Sequence, residues 1–124
     1  MHPALLIFVG GGLGALTRYG ATVLSARWLG TQFPWGTLLV NFTGCFLIGL
    51  IIGFSERSDV LTPAARIFLI VGFLGGLTTF STYALETINA ARAGDIFTLT
   101  LNILAQNGVG LMLVALGMLA SRLR

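Results

Sequence analysis

"GFLGGLTTFSTY", residues 72–83, places two adjacent glycines and four serine or threonine hydroxyls inside an otherwise apolar stretch. Glycine weakens a helix, and a buried hydroxyl needs a hydrogen-bond partner. If the stretch lies in a membrane, leucine would insert there at lower cost than these residues. A segment that accepts both costs is expected to have a function beyond crossing the bilayer.

The composition around this stretch is that of a membrane protein. Of the 124 residues, 56% are hydrophobic and 9% are charged, whereas a soluble domain carries roughly a quarter charged residues. The mean hydropathy is +0.94. Charged residues delimit stretches that approach or exceed the ~20 residues needed to cross the hydrocarbon. We therefore predict an all-α, multi-pass protein of a cell (inner or plasma) membrane, a single four-helix unit over residues 1–124 with spans at 4–26, 35–55, 64–91 and 96–121.

Residues that begin and end helices occur between these spans. Pro34 and Pro63 suit first helical turns, the latter behind Thr62 as its N-cap. Gly94 and Asp95 are expected to end the third helix and begin the fourth. Loops are therefore predicted at residues 27–33, 56–62 and 92–95.

The basic side chains are all arginines, and their four-to-two distribution about the membrane weakly favours termini in the cytoplasm. We expect them to meet lipid phosphates and helix ends, not nucleic acid. The side that holds the termini carries Arg57, Arg66, Arg122 and Arg124, and the opposite side carries Arg27 and Arg92. Such a small positive-inside bias is compatible with insertion in both orientations.

Residues 72–83 have two readings. A break at Gly75 and Gly76 would free carbonyls that suit a hard cation such as Na⁺, and the resumed helix would present N–H groups to an anion. Alternatively, the helix is continuous and its hydroxyls bond back to the preceding turn. The spacing of these residues alone does not distinguish between the two interpretations.

Two other spans carry polar side chains at helical spacing. In the second span they are Thr37, Asn41 and Gly44, on one face. A lone asparagine at this depth either links helices or lines a pathway. The fourth span has a stripe of residues four apart, with Asn107 beside it: Thr98, Asn102, Gln106 and Gly110. These amides are costly in lipid and predict a wet, polar track.

Charged side chains inside the spans are rare. Arg18, in the first span, either snorkels to an interface or takes part in conduction. Glu86 lies near the end of the third helix, where snorkelling or pairing with an arginine is expected. The sequence has no titrating group predicted at mid-depth and no catalytic constellation, so neither a proton-coupled pump nor an enzyme is predicted.

Three motifs follow one another along the chain: "GGGLGALTRY" at 10–19, "VNFTG" at 40–44 and "GFLGGLTTFSTY" at 72–83. Together they resemble the Fluc (CrcB) family of fluoride channels. The resemblance implies a passive channel that lets fluoride leave the cell and so reduces its toxicity. It also implies an antiparallel, dual-topology homodimer with two pores, a broken third helix, and a structural Na⁺ at the dimer centre.

The resemblance also assigns roles to residues of this chain. The carbonyls of Gly75 and Thr78 would hold the Na⁺. The fluoride path would be lined by Arg18, Asn41, Thr79, Phe80, Ser81, Thr82, Tyr83, Asn102 and Gln106. Fluoride is strongly hydrated, and amides, hydroxyls and aromatic ring edges supply donors that replace its water. The chain departs from the family pattern at Tyr83, where a second phenylalanine is usual, and at Asn102 and Gln106, where tyrosine and serine are usual.

Two other functions compete with the channel. A small dual-topology multidrug exporter would need a mid-membrane carboxylate in the first span, and residues 4–26 contain none. A non-conducting membrane scaffold would need no polar track. The channel is therefore the predicted function.

Overall fold

A computed structural model describes residues 2–57 and 61–123. It contains four helical spans that are long and apolar enough to cross a membrane: Pro3–Leu29, Trp35–Ser55, Pro63–Arg92 and Ile96–Leu123. The prediction of four helical spans is confirmed. Two parts of these predictions lie outside the described residues: residues 58–60 of the second loop, and Arg124, one of the arginines on the side of the termini.

The first span is one helix, α1 (Pro3–Leu29), and it is longer than predicted. Arg27, assigned to a loop by the sequence, lies in its last turn. The helix ends at Gly30, whose φ of 82° is a conformation that favours glycine. The second span, α2 (Trp35–Ser55), begins one residue after Pro34, which is its N-cap and not a member of the first turn as predicted.

The third span is built from four segments. They are α3 (Pro63–Arg66), a π-helical segment (Ile67–Leu74), α4 (Gly75–Leu77) and α5 (Phe80–Arg92). At its start, the Thr62 side chain accepts a hydrogen bond from the Ala65 N–H at 3.2 Å, so the predicted N-cap is confirmed.

Two extended residues separate α4 from α5. Thr78 has φ −83° and ψ 156°, and Thr79 has φ −153° and ψ 117°. The backbone leaves the helical conformation at these two residues, and not at Gly75 and Gly76, where the sequence placed the opening. Gly75 and Gly76 lie within α4, two to three residues before the extended pair. A Cβ at Gly76 would overlap the carbonyl oxygen of Gly11, so the absent side chain allows close packing against α1.

The fourth span also contains a π-helical segment. It comprises α6 (Ile96–Leu104), the π-helical Ala105–Val109, α7 (Gly110–Ala120) and a terminal 3₁₀ turn, Ser121–Leu123. The predicted boundary before it is confirmed, because Gly94 has φ 73° and Asp95 caps α6. The Asp95 carboxylate accepts from the Thr98 N–H at 2.9 Å, and its hydrogen bonds with Thr98 lower the pKa of Asp95.

Glycines set how closely the helices approach. Gly10 and Gly14 of the first span lie against the backbone of residues 68–77 of the third, where an added Cβ would overlap backbone atoms. Gly49 and Gly117 pack α2 and α7 together in the same way. In lipid, such contact replaces the hydrophobic force that brings helices together in water. The arrangement holds the third span tightly against the first.

Candidate functional site

The amide side chain of Asn41 pairs with the peptide groups on both sides of Thr79. Its Oδ1 accepts from the Thr79 N–H at 2.8 Å, and its Nδ2 donates to the Thr79 carbonyl at 3.0 Å. This two-bond geometry fixes which end of the amide is oxygen and which is nitrogen. The Asn41 side chain thus bonds to Thr79 as a neighbouring β-strand would, and it satisfies the N–H and the carbonyl of this extended residue.

The pairing has a consequence for the preceding turn. In a continuous helix the Thr79 N–H would donate to the carbonyl of Gly75, four residues earlier. Here it donates to Asn41 instead. The carbonyl of the exposed Gly75 loses its helical donor, whereas Thr78 still bonds back to the Leu74 carbonyl through both its N–H and its hydroxyl.

Arg18 reaches the extended residues from the first span. Its Nη1 donates to the Thr78 carbonyl at 3.2 Å. The part-buried side chain contacts the third span, and both its snorkelling and its role in conduction stay predictions. The guanidinium brings a positive charge to the point where the helical backbone is interrupted.

Hydroxyls gather at the start of α5. The Thr79 hydroxyl accepts from the Thr82 N–H at 3.2 Å and donates to the Thr82 hydroxyl at 3.0 Å. It also lies 3.3 Å from the Ser81 hydroxyl. Thr79 is therefore the N-cap of α5. These three side chains bond to one another, unlike Thr78, which bonds to the preceding turn.

The two aromatic side chains of this segment contact each other. The Phe80 and Tyr83 ring centroids are 5.4 Å apart with planes at 67°, an edge-on arrangement. Their spacing of three residues does bring them to one face. Phe80 is 76% exposed in the single chain, and therefore points away from the bundle.

Gln106 continues the hydrogen-bond chain into the fourth span. The Asn41 Nδ2 donates to the Gln106 Oε1 at 3.0 Å, as well as to Thr79. Both amide hydrogens of Asn41 are thus in use. The buried Nε2 of Gln106 has no hydrogen-bond partner among residues 2–57 and 61–123. The free amide donor at this site is therefore that of Gln106.

Asn102 lies one turn earlier and is completely buried. Its Nδ2 donates to the Thr87 hydroxyl at 3.0 Å, which in turn donates to the Tyr83 carbonyl at 2.7 Å. Its Oδ1 has no partner within the described part of the chain. Since the facing group is Thr87, the polar track continues into α5 and not along one helix face.

A cleft of about 390 Å³ joins these groups, and only part of the predicted set lines it. Asn41, Thr79, Phe80, Tyr83 and Gln106 line it, with Asn107 beside them. Four other predicted residues are not part of its lining: Arg18, Ser81, Thr82 and Asn102. Of the stripe predicted on the fourth span, Gln106 lines this cleft, Thr98 lies in the first turn of α6, and a Cβ added at Gly110 would lie 3.5 Å from the Cys45 sulfur.

The sequence reasoning missed a second polar pair. The Thr37 hydroxyl donates to the Glu86 Oε1 at 2.7 Å, beside a further cleft of about 400 Å³. The Glu86 Oε2 is buried and has no hydrogen-bond partner among the residues described. Glu86 therefore has a threonine partner where snorkelling or pairing with an arginine was expected. The available signal was the position of Thr37, one helical turn before Asn41 on the same face.

Comparisons with known proteins agree with this architecture. The family model described as "CrcB-like protein, Camphor Resistance (CrcB)" matches residues 5–118. A relative from Salinibacter ruber is 46% identical over 118 residues, covering 94% of this chain and 87% of its own length. One from Geotalea daltonii is 44% identical over 122 residues, or 98% of each chain.

A third relative, from Dehalococcoides mccartyi, is 43% identical over 117 residues, covering 94% of this chain and 90% of its own length. All three relatives carry the name "Fluoride-specific ion channel FluC". Together with the four apolar spans, the matches identify a multi-pass integral membrane protein.

Proposed function

Because this chain belongs to the CrcB family, we propose that it is a passive, fluoride-selective channel through which fluoride leaves the cell. The names of its relatives support this function. The observation that carries it is the buried Nε2 of Gln106, which has no hydrogen-bond partner among residues 2–57 and 61–123, beside a cleft that Gln106 shares with hydroxyls and aromatic ring edges. The protein acts as a conductor of ions and not as an enzyme.

The chemistry of fluoride explains why such a site suits it. Fluoride gives up its tightly held water only where other hydrogen-bond donors replace it. An amide N–H, hydroxyls and the positive edges of aromatic rings are such donors, and none carries a full charge. Because conduction requires binding that is weak enough to release the ion, several uncharged donors in a row favour passage over trapping.

Within this pathway, Asn41 and Gln106 have different roles. Asn41 holds Thr79 extended and orients Gln106, since both of its amide hydrogens are engaged. Gln106 then offers its Nε2 to the anion. The exposed Phe80 ring and the Tyr83 ring follow along the path, with the Thr79, Ser81 and Thr82 hydroxyls beside them. Arg18 attracts the anion near one entrance, and Asn102 supports the track from within.

The assembly that we propose is an antiparallel homodimer with dual topology. The weak four-to-two bias of arginines between the two sides of the membrane supports insertion in both orientations. The cleft is lined by the exposed Phe80 and Gly75, groups that a single chain leaves facing lipid. A second copy would cover them and enclose a pathway on each side of the interface.

A structural Na⁺ at the centre of this dimer completes the proposal. Its ligands would be the carbonyls of Gly75 and Thr78 from both copies. The Gly75 carbonyl fits this role, because the Thr79 N–H that would satisfy it donates to Asn41. The Thr78 carbonyl accepts from Arg18 and has a second lone pair available. A shared Na⁺ offsets the cost of burying these carbonyls in hydrocarbon.

Liposomes loaded with fluoride or chloride test the channel function. Wild-type protein should release fluoride rapidly and chloride very slowly. Fluoride release no faster than chloride release would remove the channel function, and coupling of release to a proton gradient or to a drug would favour an exporter.

In the same liposomes, Asn41→Asp should lower fluoride flux at least ~100-fold. A carboxylate cannot donate the hydrogen bonds that the Asn41 amide donates to Thr79 and Gln106, and it repels the anion. Asn89→Asp adds the same charge at an exposed position of α5 and should stay within about twofold of wild type. If Asn41→Asp conducts like wild type, Asn41 is only a packing residue.

Orientation is tested by labelling a single introduced cysteine. In a Cys45→Ser background, Ala93→Cys places a thiol on the exposed turn between the third and fourth spans. A membrane-impermeant maleimide added to intact cells should label about half of the protein, and permeabilisation should expose the rest. The Cys45→Ser chain without Ala93→Cys is the control. Labelling from one side only would contradict dual topology.

Gly75→Val tests the central Na⁺ site. A Cβ at Gly75 meets only the Ile70 carbonyl oxygen, at 3.8 Å, so the chain itself has room for it. Gly76→Ala, by contrast, collides with Gly11 inside the chain. Wild-type dimers should dissociate when N-methylglucamine replaces Na⁺. Gly75→Val should lower the dimer fraction in Na⁺ while keeping its helical content, and Gly76→Ala should lower thermal stability. A wild-type dimer fraction indifferent to the cation would contradict the Na⁺ site.

A further inference from the structure

A hydrogen bond joins the third and fourth spans at the edge of the cleft. The Nδ2 of Asn107 donates to the Tyr83 hydroxyl oxygen at 3.0 Å and to the Ile103 carbonyl at 2.9 Å. Both amide hydrogens of Asn107 are therefore used. One bond anchors the side chain to its own helix, and the other fixes it to the tyrosine.

Asn107 lies within the π-helical segment Ala105–Val109. Here Gln106 bonds to Asn41 and Asn107 bonds to Tyr83, and all four line one cleft. Single π-helical turns within α-helices are frequent at functional sites.

The hydrogen bond from Asn107 determines whether the Tyr83 hydroxyl can donate to another group. Because the Tyr83 oxygen accepts from an amide N–H, its own O–H proton points elsewhere and remains available to donate. Across the described ranges, no acceptor takes that proton. The ring is also held edge-on to Phe80, so the hydroxyl has a fixed position in the cleft.

We propose that the Tyr83 hydroxyl donates a hydrogen bond to the conducted anion and that Asn107 is the positioning residue that holds it in place. This inference rests on the proposed function, and it identifies the group of the same site that distinguishes fluoride from chloride. A phenol O–H favours a small, strongly hydrogen-bond-accepting anion such as fluoride over chloride. Phenylalanine at residue 83 would supply only a ring edge.

A double-mutant cycle in liposomes tests the pair. Tyr83→Phe and Asn107→Leu should each raise the half-saturating fluoride concentration about fivefold, as expected for one modest hydrogen bond. The double variant should match the single ones, since Asn107 acts through the tyrosine hydroxyl. The maximal flux should change little, which separates this role from a general loss of structure.

Tyr83→Phe is also the control background. If Asn107→Leu raises the half-saturating fluoride concentration by the same factor with phenylalanine as with tyrosine at residue 83, Asn107 acts independently and the inference is overturned. An unchanged half-saturating concentration in Tyr83→Phe overturns it as well.

Fluorine NMR of protein labelled with 3-fluorotyrosine gives a readout that does not depend on conduction. The chain has two tyrosines, and Tyr19, which is 71% exposed on α1, serves as the reference. Asn107→Leu should shift the Tyr83 resonance and leave that of Tyr19 unchanged. Added fluoride, but not chloride, should also shift it in the wild type.

These outcomes separate the two claims. If wild-type protein conducts no fluoride, the proposed function fails, and the resonance still reports on the pair. A Tyr83 signal that responds neither to Asn107→Leu nor to fluoride overturns the inference whether or not the protein conducts.

Discussion

A peptide group that leaves its helix within the membrane must find another hydrogen-bond partner, because hydrocarbon supplies none. In this protein the partner of Thr79 is the side-chain amide of Asn41, which bonds to both its N–H and its carbonyl. The rest of the site depends on this pair. It leaves the Gly75 carbonyl without its helical donor, and it directly precedes α5, on which Phe80 and Tyr83 lie on one face.

Close helix packing makes that pair possible. At Gly44, three residues after Asn41, an added Cβ would overlap the methyl group of Thr78. The missing side chain therefore lets the second span approach the extended residues closely enough for a hydrogen bond. Arg18 reaches the same residues from the first span, across an interface also set by glycines. Asn41 and Arg18 are thus held by contacts between helices, and rigid positioning of this kind favours a selective pathway.

The sequence predicted features that depend on local chemistry. Four spans follow from the lack of charge, and the caps at Thr62 and Asp95 follow from side chains that bond to nearby N–H groups. Features that depend on neighbouring helices were not predictable. Gly75 and Gly76 are equally compatible with a helix break and with close packing, so the sequence did not distinguish the two. Periodicity assumes a regular helix, so it did not predict the π-helical segment Ala105–Val109. The partner of Glu86 lies on another helix.

Site-resolved amide hydrogen exchange in a bilayer tests the central pair most directly. The Thr79 N–H of the wild type should exchange slowly, because Asn41 accepts its hydrogen bond. In Asn41→Leu it should exchange at least ~10-fold faster, while amides in the middle of α2 keep their wild-type rates. If Thr79 exchanges at the same rate in both proteins, Asn41 does not hold the extended segment, and its central role in the site is contradicted.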